Sequence, residues 1–368
     1  MAEEMNRRAD ASKSDRFRGF KKVTSSLKFF SRFDDWWFSK IPPLLTVTFI
    51  LILQRGIEPD RAIPLIIGIL FSIISIAAYG HVVNDVYDIE SDALAGKPNT
   101  MASLPKPIPP LLCLLLFICG FLPAWFFQFH PLAVALIFLN YLWPTLYSMP
   151  PIRIKERGFV GILLDAAGSH ITPTLLILVV FAELGSANLL QPLVTLAVVI
   201  TIWASVEGFK GILYHQLADS ENDHMSETKT WIQAMNQARL RSLLPFYNLF
   251  IEGLVNCALI WVIFPFCPIA ALVFLIYLVC ELIKNRMGFE FALNQDPQNI
   301  RPSVPFANDL FYGCWLPFAG ALQLSFSAPV WAWVPILQVT LFLRNYRTLL
   351  QDLKAVTRAV FMRVFPNQ

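Results

Sequence analysis

Charge is what this chain has least of. Only 15% of its 368 residues are Asp, Glu, Lys or Arg, against about 25% in an ordinary soluble domain. Hydrophobic residues make up 56%, and the mean hydropathy is +0.55. That balance excludes a typical soluble enzyme. Cysteine pairs with metal-ligand spacing are also missing. Cys113, Cys119, Cys257, Cys267, Cys280 and Cys314 fall mostly inside apolar blocks and none is spaced C-x-x-C, so they read as small buried hydrophobes. The apolar blocks are continuous rather than alternating, which argues against a membrane β-barrel. No short apolar segment lies within the polar first 35 residues, so no cleavable signal peptide is expected. The net charge is +3, and its basic residues sit in short loops and tails. That is a topology pattern, and no nucleic-acid partner is expected.

What the chain has instead is apolar blocks of about 20 residues, the length a helix needs to cross a bilayer. They fall near 41–56, 62–84, 108–128, 131–149, 159–182, 189–214, 243–264, 267–284, 309–327 and 329–343. The expected fold is an all-α polytopic transmembrane helical bundle of nine or ten spans. With the N-terminus inside, Lys97, Lys106, Arg153, Lys155, Arg157, Lys229, Arg239, Arg241, Lys284, Arg286 and Arg301 all fall on the cytoplasmic side, as do Arg344, Arg347, Lys354, Arg358 and Arg363. Only Arg55 and Arg61 fall outside, and Lys210 lies within a span. The positive-inside rule therefore places both termini in the cytoplasm. Three regions result. Residues 1–34 hold a disordered tail and then a basic helix, with Phe17, Phe20, Val23, Leu27, Phe30 and Phe33 at helical spacing, suited to an anionic membrane surface or to packing on the protein itself. Residues 35–345 are the membrane domain. Residues 346–368 are a basic cytoplasmic tail.

The most informative stretch is Asn84-Asp85-Val86-Tyr87-Asp88-Ile89-Glu90-Ser91-Asp92, at the end of a span. On a helix Asn84, Asp88 and Asp92 are four apart, and Asp85 joins their face while Glu90 points away. Three carboxylates and an amide oxygen on one face repel each other unless a hard cation sits among them. Mg²⁺ takes a few carboxylates plus phosphate oxygens, so the run reads as a metal–diphosphate site at a membrane surface. About 130 residues later the pattern returns. His215, Asp219 and Asp223 form a second row at the end of the sixth span, with Glu221 pointing elsewhere. Between the rows lies Tyr147-Ser148-Met149-Pro150-Pro151-Ile152-Arg153-Ile154-Lys155. Its Arg153 and Lys155 suit a diphosphate by forked and point-charge contacts, although topology alone would also explain them.

These three motifs, in this order, resemble the UbiA superfamily of intramembrane prenyltransferases. Its N-D-x-x-D-x-x-x-D motif is matched by Asn84, Asp85, Asp88 and Asp92. Its D-x-x-x-D motif is matched by Asp219 and Asp223, and its Y-S-x-P-P-x-R-x-K loop by Tyr147, Ser148, Pro150, Pro151, Arg153 and Lys155. The resemblance spans roughly residues 35–345. One departure stands out. Many members follow the first motif with K-P-x-R-P, and this chain reads Lys97-Pro98-Asn99-Thr100-Met101. The Arg is absent, and Lys97 or Lys106 is left to replace it.

The resemblance implies transfer of an isoprenoid from a prenyl diphosphate to a small aromatic or polar acceptor within the membrane. It implies two Mg²⁺ ions, with Mn²⁺ as a substitute, between metal ligands Asn84, Asp85, Asp88, Asp92, Asp219 and Asp223. Lys155 would join the carboxylates in catalysis. Asn84, Asp85, Tyr147, Arg153, Lys97, Lys210 and His215 would bind substrate. Asp165, near the cytoplasmic end of the fifth span, is the candidate for orienting or deprotonating the acceptor. Lys210 has a second reading as an internal partner of Glu207 three residues earlier. Membrane lipids are the other expected contact. A terpene cyclase on the same scaffold is the alternative, and an ion transporter a remote one.

Overall fold

A computed structural model describes residues 33–184, 190–225, 230–286 and 309–364. The described residues contain helices, short helical turns and loops, and no strand. The basic segment expected over residues 17–33 falls almost wholly outside them. So do Lys229 and Arg301.

The bundle opens with α1 (Phe33–Arg55) and α2 (Pro59–Tyr87), joined by a tight link at Gly56. Then come α3 (Ile89–Leu94), α4 (Ile108–Phe126) and α5 (Pro131–Ser148). α6 (Phe159–Ala182) is interrupted by a π turn at Ala167–Ile171. α7 (Leu190–Ala218) is followed by three short helices, α8 (Ser220–Met225), α9 (Trp231–Ala234) and α10 (Gln237–Phe246). A second π turn, Tyr247–Glu252, leads into α11 (Gly253–Ile263). α12 (Pro268–Arg286) follows. A third π turn, Phe311–Trp315, opens α13 (Leu316–Ser327), and α14 (Val334–Leu341) and α15 (Leu343–Val364) end the described chain.

Among the described residues six helices are long and apolar enough to cross a membrane: α1, α2, α4, α5, α6 and α7. The expected nine or ten are not reached on that measure. Two later apolar helices among the described residues are shorter, Tyr247–Ile263 and Pro329–Leu341. The stretch expected as a basic tail carries the helix α15. Its apolar residues recur at helical period, a pattern that attention to charge alone overlooks.

One large core joins α1, α2, α5, α6 and α7 to the C-terminal helices through Ile41, Ile50, Ile137, Leu176, Phe181, Tyr277, Phe311 and Phe342. Close helix contact is built in at Gly120. A Cβ there would lie 1.9 Å from the Tyr141 hydroxyl, which itself donates to the Leu116 carbonyl at 2.7 Å. A smaller core of Ile162, Ile212, Leu217, Ile232, Leu240 and Leu244 seats α9 and α10 against α6 and α7. This second core fixes the end of the bundle where the acidic rows lie.

Candidate active site at one end of the bundle

Each acidic row is built by the same backbone device. α2 stops at Tyr87, Asp88 occupies the junction, and the six-residue α3 resumes at Ile89. α7 stops at Ala218, Asp219 occupies the junction, and the six-residue α8 resumes at Ser220. In both places the i→i+4 bonds persist across the break. Asp88 N–H donates to Asn84 at 2.9 Å and Asp92 N–H to Asp88 at 2.8 Å. Asp219 N–H donates to His215 at 2.9 Å and Asp223 N–H to Asp219 at 2.9 Å. The expected spacing of the rows is therefore kept although neither helix is continuous.

The basic loop lies against the first row. Lys155 Nζ sits 2.5 Å from Asp88 Oδ1 and 3.4 Å from Asn84 Oδ1. Arg153 donates to Asp88 Oδ1 at 3.1 Å and to the Tyr87 carbonyl at 3.2 Å, and it pairs with Glu156. Ser148 Oγ donates to Asn84 Oδ1 at 3.0 Å. Arg153 adopts φ +36°, a left-handed conformation costly for a non-glycine residue and typical of over-determined sites. Asp88 and Lys155 are both buried, whereas Glu90 is exposed. Burial pulls the Lys155 ammonium below its ordinary range, against the opposing pull of Asp88.

The divergent segment 97–100 ties the two rows together. Asn99 Nδ2 donates to Asp92 Oδ2 at 2.7 Å and to the Asp85 carbonyl at 2.8 Å. Thr100 Oγ1 donates to the buried Asp85 Oδ2 at 2.7 Å. Lys97 Nζ lies 3.6 Å from Asp219 Oδ2 in the second row, and His215 Nε2 lies 3.7 Å from the same oxygen. Thr230, just ahead of α9, donates to Asp223 Oδ2 at 3.2 Å. Burial, then the neighbouring Asp219 charge, pushes the Asp223 carboxyl above the usual carboxylate range. Lys106 is exposed. Asn99, Thr100 and Thr230 escape sequence reasoning because polar residues in a loop are too common to signal a role.

Behind this surface lies a polar layer inside the bundle. The charges of Asp165, Asp223 and Asp88 all act on the Tyr147 hydroxyl. Asp165 accepts from Ser169 at 3.5 Å and feels the charges of Lys40 and His215. Lys40 Nζ meets His170 Nε2 at 2.8 Å. Lys210 pairs with Glu252 at 2.5 Å and Glu207 at 3.1 Å, and lies 4.4 Å from the ring centroid of Tyr312. Its contacts with Glu207 and Glu252 match the internal-pair reading. Tyr312 donates to Glu252 at 2.8 Å. His170, Glu252 and Tyr312 come one from each of the three π turns among the described residues. Such turns are rare in helices and concentrate at functional sites. Lys40 is missed in sequence because it stands one residue ahead of the expected span.

The donor set suits a hard divalent ion: carboxylate and amide oxygens on two facing helix ends. Among the described residues no three His, Cys, Asp or Glu side chains converge on one point, so no all-protein cage is present. Mg²⁺ sites in which phosphate and water supply most ligands need only one or two carboxylates per ion, and the two rows meet that requirement. Asp88 is the qualified member, since Lys155 and Arg153 already engage its carboxylate.

No curated protein matches the chain. Two solved structures resemble it, both of a UbiA homolog from Archaeoglobus fulgidus. One is bound to GPP and Mg²⁺, with 16% identity and a TM-score of 0.50, covering 81% of this chain and 99% of that one. The other is bound to DMAPP and Mg²⁺, with 14% identity, a TM-score of 0.47 and the same coverage. At these identities the likeness is one of fold. The family pattern goes further: the UbiA prenyltransferase family matches residues 43–290, two acidic rows and basic loop included, and the chain belongs to that family.

Proposed function

We propose that this protein is an intramembrane prenyltransferase that moves an isoprenoid chain from a prenyl diphosphate to a small aromatic or polar acceptor. One observation carries the reading. Two Asp-rich helix ends and the Arg153/Lys155 loop meet at one end of an apolar bundle, with Lys97 reaching Asp219 across the gap. Asn84, Asp85, Asp88 and Asp92 on one side, with Asp219 and Asp223 on the other, would hold two Mg²⁺ ions, with Mn²⁺ as substitute, which neutralise charge on the departing diphosphate.

The chain's own residues do the rest. Arg153 and Lys155 donate charge-assisted hydrogen bonds to diphosphate oxygens, and Asp88 holds both cations in place. Lys97 and His215 approach from the second row. Tyr147, between the rows and Asp165, borders the path of the allylic carbon. Asp165 orients the acceptor or takes its proton, with Lys40 beside it. The isoprenoid lies among the apolar side chains of the bundle. Positive-inside charge puts the site and both termini on the cytoplasmic face.

The test is purified protein with labelled geranyl diphosphate and Mg²⁺, with and without a membrane lipid extract as the acceptor source. Labelled conjugate that requires the extract supports transfer. Release of a cyclic hydrocarbon without extract would make the protein a cyclase. Intact geranyl diphosphate in every arm would sink the enzyme reading.

A further inference from the structure

The C-terminal helix α15 has a surface that the site does not use. It carries Arg344, Arg347, Lys354, Arg358 and Arg363 against one acid, Asp352. That acid is turned inward: Asp352 is 2% exposed and bonds Lys284 Nζ at 3.0 Å, beside Glu281. Asn345 donates to the Phe38 carbonyl at 2.7 Å and Tyr346 to the Cys314 carbonyl at 3.3 Å. These contacts hold α15 across the start of α1 and the end of α12. α1 and α2 are antiparallel, so α15 lies at the same end of the bundle as the acidic rows.

With the inward face fixed, the outward one follows. Leu343, Leu350 and Phe361 are 41%, 56% and 50% exposed. At about 100° per residue they fall on one line within roughly 20°. Arg347, Lys354 and Arg358, all exposed, occupy the next sector of roughly 40°. A soluble protein would not keep such an apolar line in water, and a membrane-spanning helix would not carry these cations. An apolar stripe bordered by a basic one is what lies in the plane of a membrane surface. The charge complement of the basic stripe is an anionic headgroup layer.

We propose that α15 binds anionic phospholipid headgroups through Arg347, Lys354 and Arg358, while Leu343, Leu350 and Phe361 enter the acyl boundary. The helix is thereby a lipid-reading rim on the site end of the bundle, independent of the prenyl-transfer chemistry.

Native mass spectrometry of the full chain in neutral detergent tests this, with phosphatidylglycerol and phosphatidylcholine of equal chain length as probes. The wild type binds phosphatidylglycerol more tightly. Arg347→Gln/Lys354→Gln/Arg358→Gln weakens that binding on the order of 100-fold, at about fivefold per charge, and leaves phosphatidylcholine unchanged. The charge-keeping variant Arg347→Lys/Lys354→Arg/Arg358→Lys retains it. So does Arg61→Gln/Lys106→Gln, which removes exposed cations elsewhere. Melting in the same detergent is equal for all variants, because these side chains face away from Lys284. Equal wild-type affinity for the two lipids would overturn the proposal. So would a preference that survives the triple Gln variant, displacement of lipid by millimolar inorganic phosphate, or a doubled mass that only the triple Gln variant loses.

Discussion

Asp88→Asn isolates the central electrostatic feature of the site. The substitution keeps the shape of the side chain and removes one negative charge. Asp88 and Lys155 have side chains 9% and 10% exposed, and Arg153 is 18% exposed. Two cations thus lose their shared counter-charge in a poorly hydrated place. Removing one partner of a buried pair costs about 3–5 kcal/mol because the remaining charge is left uncompensated. The asparagine oxygen still accepts one bond, so the lower end of that range applies. If the cost falls on positioning Lys155 and Arg153 in the reacting complex, 1.36 kcal/mol per decade gives a fall of about 100-fold or more in diphosphate release. Glu90→Gln, two residues on and exposed, leaves the rate within about twofold, as surface changes usually do. The assay is phosphate detection after coupled pyrophosphatase with geranyl diphosphate and Mg²⁺. Lys155→Met in the Asp88→Asn background adds much less than in the wild type, because contacting residues are not additive. Equal losses for Asp88→Asn and Glu90→Gln, or full additivity in the double variant, would refute the reasoning.

Chelation of divalent metal abolishes diphosphate release and Mg²⁺ restores it; full activity in chelator contradicts the clamp. Asp219→Asn and Asp223→Asn raise the Mg²⁺ concentration for half-maximal rate tenfold or more, on the order of the loss of one carboxylate ligand, and an unchanged Mg²⁺ titration removes the second row from the site. Gly120→Ala forces the Tyr141 hydroxyl from a position 1.9 Å from the new Cβ and costs about 1–3 kcal/mol by overpacking; an unaltered thermal melt in detergent argues against this packing. Lys210→Met leaves Glu207 and Glu252 without their shared cation and costs about 3–5 kcal/mol of stability, while Lys210→Met/Glu252→Gln recovers part of it; identical melting for the single and double variants refutes the coupling.

How much of this was legible beforehand differs from residue to residue. Asn84, Asp88 and Asp92, and likewise His215, Asp219 and Asp223, were legible as rows because carboxylates at helical spacing beside an apolar block have few cheap explanations. The breaks at Asp88 and Asp219 were not, since the i→i+4 bond survives them and leaves the periodicity intact. The absence of an Arg at position 100 was visible, but its consequence was not. Asn99 and Thr100 bind the first row through short polar groups that look like ordinary loop chemistry. Lys40 meets His170 across 130 positions of chain, a pairing that no local pattern encodes. The π turns at Tyr247 and Phe311 were not legible, because hydropathy measures apolar content and is blind to backbone pitch.

Among the described residues, three π turns decide which side chains their helices carry into the interior. Each holds a surplus residue relative to an α-helix and absorbs it locally, so the helix on either side keeps its facing. Deleting a single position within Ala167–Ile171, Tyr247–Glu252 or Phe311–Trp315 would relax that turn to regular α-geometry and leave the flanking helix close to its register. The same deletion in regular α-helix would rotate everything beyond it by about 100°. What the relaxed turn gives up is the local widening that carries His170, Glu252 or Tyr312. At these three places, therefore, the chain can be shortened by one residue with the bundle still packed, and the loss falls on the polar interior alone.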